Sequence, residues 1–397
     1  MKILIISFFY YPDLSAGSFR TKALTDSLLD KSDEIENIMV VTSQPNRYSN
    51  YKVEAKNDIN KNNFHIYRIK VPRIGSGKIQ QIIVHLIFFL KALQIIKGKD
   101  FDIIYVTSAK LLTAFLGSLI SKYMNKPLYI DFRDIFYDVM QDTGNKFINF
   151  FILPIINLLE RITVKQASKI NLVSEGFKEY FKNKYPDKEY SFFTNGIDKE
   201  FIHSEKLKCH DISIKKKLIV LYAGNIGVGQ GLEKIIPKLA VKLEDKVNFR
   251  IIGSGASINK LKKNIAVLNC RNIQILSPKN REEIREEYRC ADILFLHLNN
   301  YPAFKKVIPS KIFEYASTGK PIWAGVSGYT KSFLDNEVIN SWTFNPSDLN
   351  SALLKFNEIK DSWSDRTTFI KKYDRKIIQQ QLVKDIILTA KRHKNEK

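Results

Sequence analysis

The residue types best suited to chemistry lie in the run Ala303-Phe-Lys-Lys-Val-Ile-Pro-Ser-Lys-Ile-Phe-Glu-Tyr-Ala-Ser-Thr-Gly-Lys-Pro-Ile-Trp-Ala-Gly325. Lys311 and Glu314 stand three residues apart, a spacing that puts two side chains on one helical face. Pro309 suits a first helical turn and Gly319 suits its end. A short helix is therefore expected between two apolar strands, 291–297 and 321–325. At the start of such a helix, Ser310, Lys311 and the neighbouring N–H groups favour an anion. A lysine with free amides suits a diphosphate, and a carboxylate one turn on suits ribose hydroxyls. Together they describe a nucleotide-sugar site, against the plainer reading of an exposed helical ion pair.

Three further clusters sit where parallel sheets bind ligands, at the carboxyl ends of strands. Asp131-Phe-Arg-Asp134 closes the strand expected over 127–131. After the first strand, a loop of small residues reaches Ala16-Gly17, with Arg20 in the first turn of the helix that follows, an anion site in outline. Residues 218–231 run from a strand into a glycine-rich loop holding Gly224, Asn225 and Gly227, and Gly253-Ser-Gly255 follows the strand expected over 247–252. Glycines let backbone approach phosphates closely, or simply make tight turns. A nicotinamide-dinucleotide fingerprint does not fit: the spacing departs from G-x-G-x-x-G, and no acid follows the second strand.

The elements that must position these groups follow from the apolar runs. Strands are expected over 2–8, 37–42, 64–70, 102–106, 127–131 and 169–174, with helices over 79–97, 111–123, 146–168 and 175–184 between them and 44–63 as a surface loop. After an Asn195-Gly196 turn, a polar run over 204–217 serves as a linker. A second alternating series then ends in a strand at 342–344, helices over 349–359 and 366–390, and a frayed tail over 391–397. Strand–helix alternation points to α/β architecture with doubly wound parallel sheets.

The chain of 397 residues is 44% hydrophobic, enough for two ordinary cores. Its formal charge of +22 suits anionic partners, whether nucleotides, lipid diphosphates, acidic membrane surfaces or nucleic acid, without choosing among them. Cys209, Cys270 and Cys290 have no metal-ligand spacing, which argues against structural zinc and disulfides and for a reducing compartment. Met1-Lys-Ile-Leu-Ile-Ile-Ser7 reads as a first strand and not as a cleavable leader. Residues 79–96 and 147–159 are rich in apolar side chains, but polar residues interrupt the first and Pro154 breaks the second. They are expected as core helices or as helices that dip into a membrane interface.

Pro309-Ser-Lys-Ile-Phe-Glu-Tyr315 followed by Gly319-Lys-Pro-Ile322 resembles the donor-site signature of retaining GT-B glycosyltransferases of the bacterial group 1 (family 4) type, which build surface polysaccharides such as O-antigen and capsule. The resemblance implies two Rossmann-like domains facing across a cleft. The first covers 1–198 and binds the acceptor, completed by a C-terminal helix over about 372–397; the second covers 199–371 and binds the donor. It also implies that Glu314 binds the nucleotide ribose, and that Gly17, Arg20, Gly224, Asn225, Gly227, Gly253, Gly255, Ser310 and Lys311 line the donor site. Arg133 and Asp134 would act on the leaving diphosphate and the acceptor. The family's first glutamate falls on Lys306, a departure that points to a deoxy or acetamido donor sugar. Asn225 and Gln230 replace the family's arginine and lysine, which moves phosphate charge onto Lys311.

The reaction implied is metal-independent and needs no cofactor. It transfers sugar from a nucleoside diphosphate, UDP by preference, to a polyprenyl-diphosphate-linked glycan at the inner face of the cell membrane. Two other classes stay open: a nucleotide-dependent oxidoreductase, which requires NAD(P) binding, and a non-catalytic basic protein of nucleic acid or membranes, which requires steeply salt-dependent binding.

Overall fold

Short apolar runs without polar interruption suit strands buried on both faces. Leu4, Ile5, Val40, Ile104 and Ile130 meet that expectation with no exposed surface. The structure is a computed structural model that describes residues 1–31, 33–46, 55, 58–61, 63–72, 78–108, 110–144, 146–202, 217–360 and 363–395. The chain divides into two units, Met1–Asn195 with Arg375–Lys397, and Gly196–Asp374.

In the first unit the order is β1 (Lys2–Ile6), α1 (Ala16–Leu29), β2 (Asn37–Ser43), β3 (Asp58–Lys61), β4 (Phe64–Ile69), α2 (Lys78–Ile96), β5 (Ile103–Thr107), α3 (Leu111–Met124), β6 (Leu128–Phe132), α4 (Phe136–Thr143), α5 (Lys146–Gln166), β7 (Lys169–Leu172), α6 (Lys178–Lys184) and β8 (Tyr190–Ser191). The sheet runs β3-β4-β2-β1-β5-β6-β7-β8, parallel except for the β3–β4 pair. β1 lies between β2 and β5, so the strand order reverses there and a crevice opens at the carboxyl ends. On one sheet face Leu24 and Leu28 of α1 share a core with Ile3, Ile5, Tyr105 and Tyr129. Across the β5 face, Gly117 lets α3 close onto Val106, whose Cγ1 lies 2.2 Å from where a Cβ on Gly117 would stand.

The second unit contains β9 (Leu218–Ala223), α7 (Leu232–Lys242), β10 (Val247–Ile252), α8 (Ile258–Val267), β11 (Ile273–Leu276), α9 (Arg281–Cys290), β12 (Ile293–His297), α10 (Lys311–Ser317), β13 (Ile322–Gly325), α11 (Tyr329–Glu337), β14 (Ser341–Phe344), α12 (Leu349–Glu358) and α13 (Thr367–Lys372). Its parallel sheet runs β11-β10-β9-β12-β13-β14, with the order reversing at β9 and β12. Val220, Ile235, Ile236, Leu239, Phe249, Phe295 and Trp323 form the core. The chain then returns as α14 (Arg375–Asn395), which lays Leu382, Val383, Ile386, Ile387 and Ala390 against α1 and the first sheet. Tyr129 and Ser191 donate hydroxyl protons to Asp385 of this helix at 2.7 and 2.5 Å, and Lys169 pairs with it at 2.8 Å.

Several sequence expectations change. The 44–63 loop contains β3, whose polar residues Asp58-Ile-Asn-Lys61 gave no alternating signal. α4, a stretch to which the sequence reading gave no element, is a short helix none of whose residues is buried. The single helix expected over 366–390 is two, broken at Tyr373–Asp374, where the Ile197 N–H bonds the Tyr373 carbonyl. The tail is not frayed as far as Asn395: α14 continues, and Lys391 pairs with Glu34. Pro154 sits inside a continuous α5 and does not break it. The linker expected at 204–217 falls, except for Lys217, outside the described residues.

Candidate active site

The reversal of strand order in the second unit brings two loops together, the one after β9 and the one between β12 and α10. Glycines make their contact possible. Gly253, at φ +149°, leaves no room for a Cβ, which would stand 1.8 Å from the Gly224 carbonyl oxygen. Gly255, at φ +158°, lies likewise against the Ile226 carbonyl. The second glycine pair thus seats the loop after β10 on the loop after β9. Within that loop the Asn225 amide donates to Gln230 Oε1 at 2.9 Å, and the Gly227 N–H adds a bond at 3.2 Å. The side chains of Asn225 and Gln230 are thus spent on each other.

Asn299 ties the β12–α10 loop down, with its amide bonded to the Val228 carbonyl at 3.0 Å and its N–H to the Gly229 carbonyl at 2.7 Å. His297 fastens the same region from below. Burial pushes its pKa down to about 4, so the ring is neutral near pH 7. Its Nε2 accepts from the Ser347 N–H at 3.0 Å, which leaves Nδ1–H to donate to the Gln230 carbonyl at 2.5 Å.

α10 then delivers Lys311 to Gly224. The ammonium would lie only 2.5 Å from a Cβ placed on Gly224. It stands 5.5 Å from the centre of the Tyr222 ring and 5.7 Å from that of Tyr315. Burial lowers its pKa, and the nearby Glu314 charge opposes that shift. Among the described residues the ammonium has no carboxylate or carbonyl partner. The plainer alternative, a Lys311–Glu314 ion pair, does not form: the Tyr288 hydroxyl donates to Glu314 Oε2 at 2.9 Å. Arg281, ion-paired with Asp198 and Glu200, adds positive field near that carboxylate.

α10 is only seven residues long, and Ser310 caps it without a side-chain bond. The Ile312 and Phe313 amides bond back to the Pro309 and Ser310 carbonyls at 3.0 and 3.2 Å. Positive charge at this tip therefore rests on Lys311 more than on free amides. Lys306 ends the turn at Pro302–Lys305 and is half-buried. Tyr222 and Tyr288 were missed by sequence reasoning. Tyr222 looks like one more residue of an apolar strand, and Tyr288 lies 26 residues before Glu314 with no spacing to link them.

In the first unit, Gly17 and Arg133 do come together. A Cβ on Gly17 would lie 3.7 Å from Arg133 Nε, ordinary contact distance. Gly17 lies inside α1, in its first turn, and not in the loop before it. Arg133 Nη1 is buried without a hydrogen-bond partner. Burial lowers the Arg133 pKa; Asp131 and Asp134 oppose the shift and Arg20 reinforces it. Asp134 is exposed beside it.

Arg20 corrects an expectation. It is 1% exposed and grips Asp131 through Nε and Nη2 at 2.8 and 3.0 Å, with further bonds to the Thr194 and Phe193 carbonyls at 2.6 and 2.8 Å. Burial works against the Asp131 charge, but Arg20 and Asn171 hold its pKa below the usual carboxylate value. A guanidinium so occupied does not bind a phosphate; it clamps α1 to β6 and to the end of the first unit. Among the described residues, no group of three or more His, Cys, Asp or Glu is placed to hold a metal ion.

The family described as "Glycosyl transferases group 1" matches residues 206–376. A putative colanic acid biosynthesis glycosyl transferase, WcaI of Escherichia coli (strain K12), is 28% identical over 115 residues, 29% of this chain and 28% of that relative's own length. Sucrose-phosphate synthase from Thermosynechococcus elongatus superposes with a TM-score of 0.74 at 12% identity, covering 100% of this chain and 99% of that one. HepE of Anabaena, solved in complex with UDP and glucose, gives a TM-score of 0.68 at 13% identity over 97% and 99%. At such identities the likeness is one of fold, and that fold is GT-B, with two Rossmann-like units.

Proposed function

We propose, for a chain whose second unit carries a group 1 glycosyl transferase domain on a GT-B scaffold, that it moves a sugar from a nucleoside diphosphate to a hydroxyl of a lipid-linked saccharide during surface-polysaccharide synthesis. One observation carries this reading above the others: the Lys311 ammonium, half-buried between two aromatic rings against Gly224, with no acceptor of its own. A desolvated cation without a partner is costly unless an anion completes it.

The reaction asks mainly for charge stabilisation on the departing diphosphate. The bond from the anomeric carbon to the diphosphate oxygen breaks, the acceptor oxygen bonds to that carbon on the same face, and the acceptor's proton passes to the leaving diphosphate. Such retention needs no pair of catalytic carboxylates, in contrast to glycoside hydrolysis. Lys311 takes the diphosphate charge and Glu314, fixed by Tyr288, takes ribose hydroxyls. In the first unit, Arg133 with its open Nη1 serves the acceptor phosphate, with Asp134 near the attacking hydroxyl. UDP is the preferred nucleotide, supported by the UDP bound in the fold relative HepE. Lys306 favours a deoxy or acetamido sugar. The enzyme works at the inner membrane face without a metal.

Calorimetric titration with UDP and UDP-sugars tests the site. Lys311→Ala is expected to lower kcat by about 10²- to 10³-fold, and Glu314→Ala to weaken nucleotide binding, with turnover insensitive to EDTA. Unchanged donor affinity and turnover in both variants would remove the site from this role.

A further inference from the structure

Helix α5 is unusual for a helix of a buried sheet, because its apolar residues do not all face inward. Phe147 and Phe150 are 75% and 76% exposed, and Phe151, Ile155, Leu158 and Ile162 are also open to solvent. Their spacing of three to four residues makes one continuous stripe along the helix. Topology extends it. The chain moves in the same direction along the sheet through β4-α2-β5, β5-α3-β6 and β6-α5-β7, so right-handed crossovers put α2, α3 and α5 on one face, with α1 and α14 on the other. Phe89 of α2 stacks on Phe115 of α3 at 6.3 Å. α2 adds its own open stripe, Ile82, Leu86 and Leu90, and α3 ends in an exposed Tyr123.

The charges on these helices have one sign. α2, α3 and α5 hold six lysines and arginines and a single acid, Glu160. Glu160 is buried and takes its partners from Tyr180, Lys184 and Tyr185, so it presents nothing to the outside. Lys91, Lys122, Arg161 and Lys165 are exposed. A second copy of a chain with net charge +22 would set cations against cations across this face. An anionic lipid surface matches both the apolar stripe and the sign. Among the described residues no helix is long and apolar enough to cross a bilayer, so such a face would lie in the interface.

We infer that the α2–α3–α5 face of the first unit is a docking surface for anionic lipid bilayers, with Phe147, Phe150 and Phe151 as its inserted aromatic end. In a parallel sheet the helices run antiparallel to the strands, so the aromatic end of α5 lies at the carboxyl ends, the same end as Arg133. Tyr137 of α4 and Asn149, Phe150, Leu153, Pro154 and Asn157 of α5 line an open recess of about 420 Å³. It connects the stripe to the helix that directly follows Asp134. The inference deepens the lipid-linked acceptor reading, but its observations do not depend on the donor site.

The test is co-sedimentation of the full chain with vesicles of phosphatidylglycerol and phosphatidylcholine, beside vesicles of phosphatidylcholine alone. Binding is expected to the anionic vesicles, weaker on the neutral ones, and reduced about 10-fold or more by Phe150→Ser with Phe151→Ser. Both side chains are exposed, so melting temperature and UDP binding should stay unchanged in that variant. Phe150→Trp should retain vesicle binding. Failure to bind anionic vesicles, or equal binding by the double serine variant, would overturn the inference. So would a dimer in sedimentation velocity that the serine variant converts to monomer, because a second copy would then cover the face. Vesicle binding without UDP binding would instead count against the proposed donor site and leave the docking face standing.

Discussion

Tyr222 joins two features of the donor loop. Its ring lies beneath the Lys311 ammonium, and its hydroxyl donates to the Asn225 carbonyl at 2.6 Å, so one side chain sets both the cation and the loop. A desolvated cation–π contact is worth about 0.5–2 kcal/mol. Tyr222→Leu should therefore raise the donor KM about 3- to 30-fold, and Tyr222→Phe, which keeps the ring, should cost less. Steady-state kinetics against donor concentration check the order; a phenylalanine variant as impaired as the leucine one would place the effect in the hydroxyl. Lys311, Glu314 and the glycines were legible in the sequence because backbone geometry and charge leave marks at fixed spacing. Arg20 was misread because a loop-to-helix arginine looks the same whether it meets a ligand or a buried carboxylate. Only the fold, which places Asp131 against it from 111 residues away, decides.

At the scale of elements, α14 depends on one carboxylate. Burial alone would raise the Asp385 pKa, but Lys169, Ser191 and Tyr129 hold it below the usual value. A group with a lowered folded pKa contributes stability above its unfolded pKa and loses it as pH falls through the folded one. Attachment of α14 should accordingly weaken at acidic pH, below the normal carboxylate range. Asp385→Ala removes the shared acceptor of three donors and should cost about 2–3 kcal/mol. Hydrogen exchange should show that loss as weakened protection along α14; unaltered protection would mean the apolar face alone holds the helix. Most elements were readable because buried parallel strands and amphipathic helices differ in period. β3 and α4 were not, since one is a polar edge strand and the other buries no residue. The break between α13 and α14 carries no proline or glycine, so nothing local announced it.

For the whole molecule, each unit encloses a buried, neutral histidine among its described residues. His85 stacks on Phe8 at 4.2 Å, and burial pushes its pKa down to about 4, as it does for His297. Above about pH 6.5 both forms of the chain are uncharged at these rings. As pH falls from there toward 4, the unfolded chain binds protons that the folded chain refuses, so stability drops. Each ring contributes on the order of 3 kcal/mol across that window. Urea unfolding at pH 7 and pH 5 should show the loss, and His297→Gln should flatten the dependence belonging to the second unit.

The return of α14 to the first sheet also sets an order of events during synthesis. The second unit is an insertion within the first, since the chain leaves at Asn195 and comes back at Arg375. While the ribosome is still making the middle of the chain, Leu24 and Leu28 wait beside the first sheet without Leu382 and Ile386 to cover them. The inserted lobe can finish before the lobe that began first. A nascent chain released short of α14 would expose that apolar seam, a surface for chaperones to find.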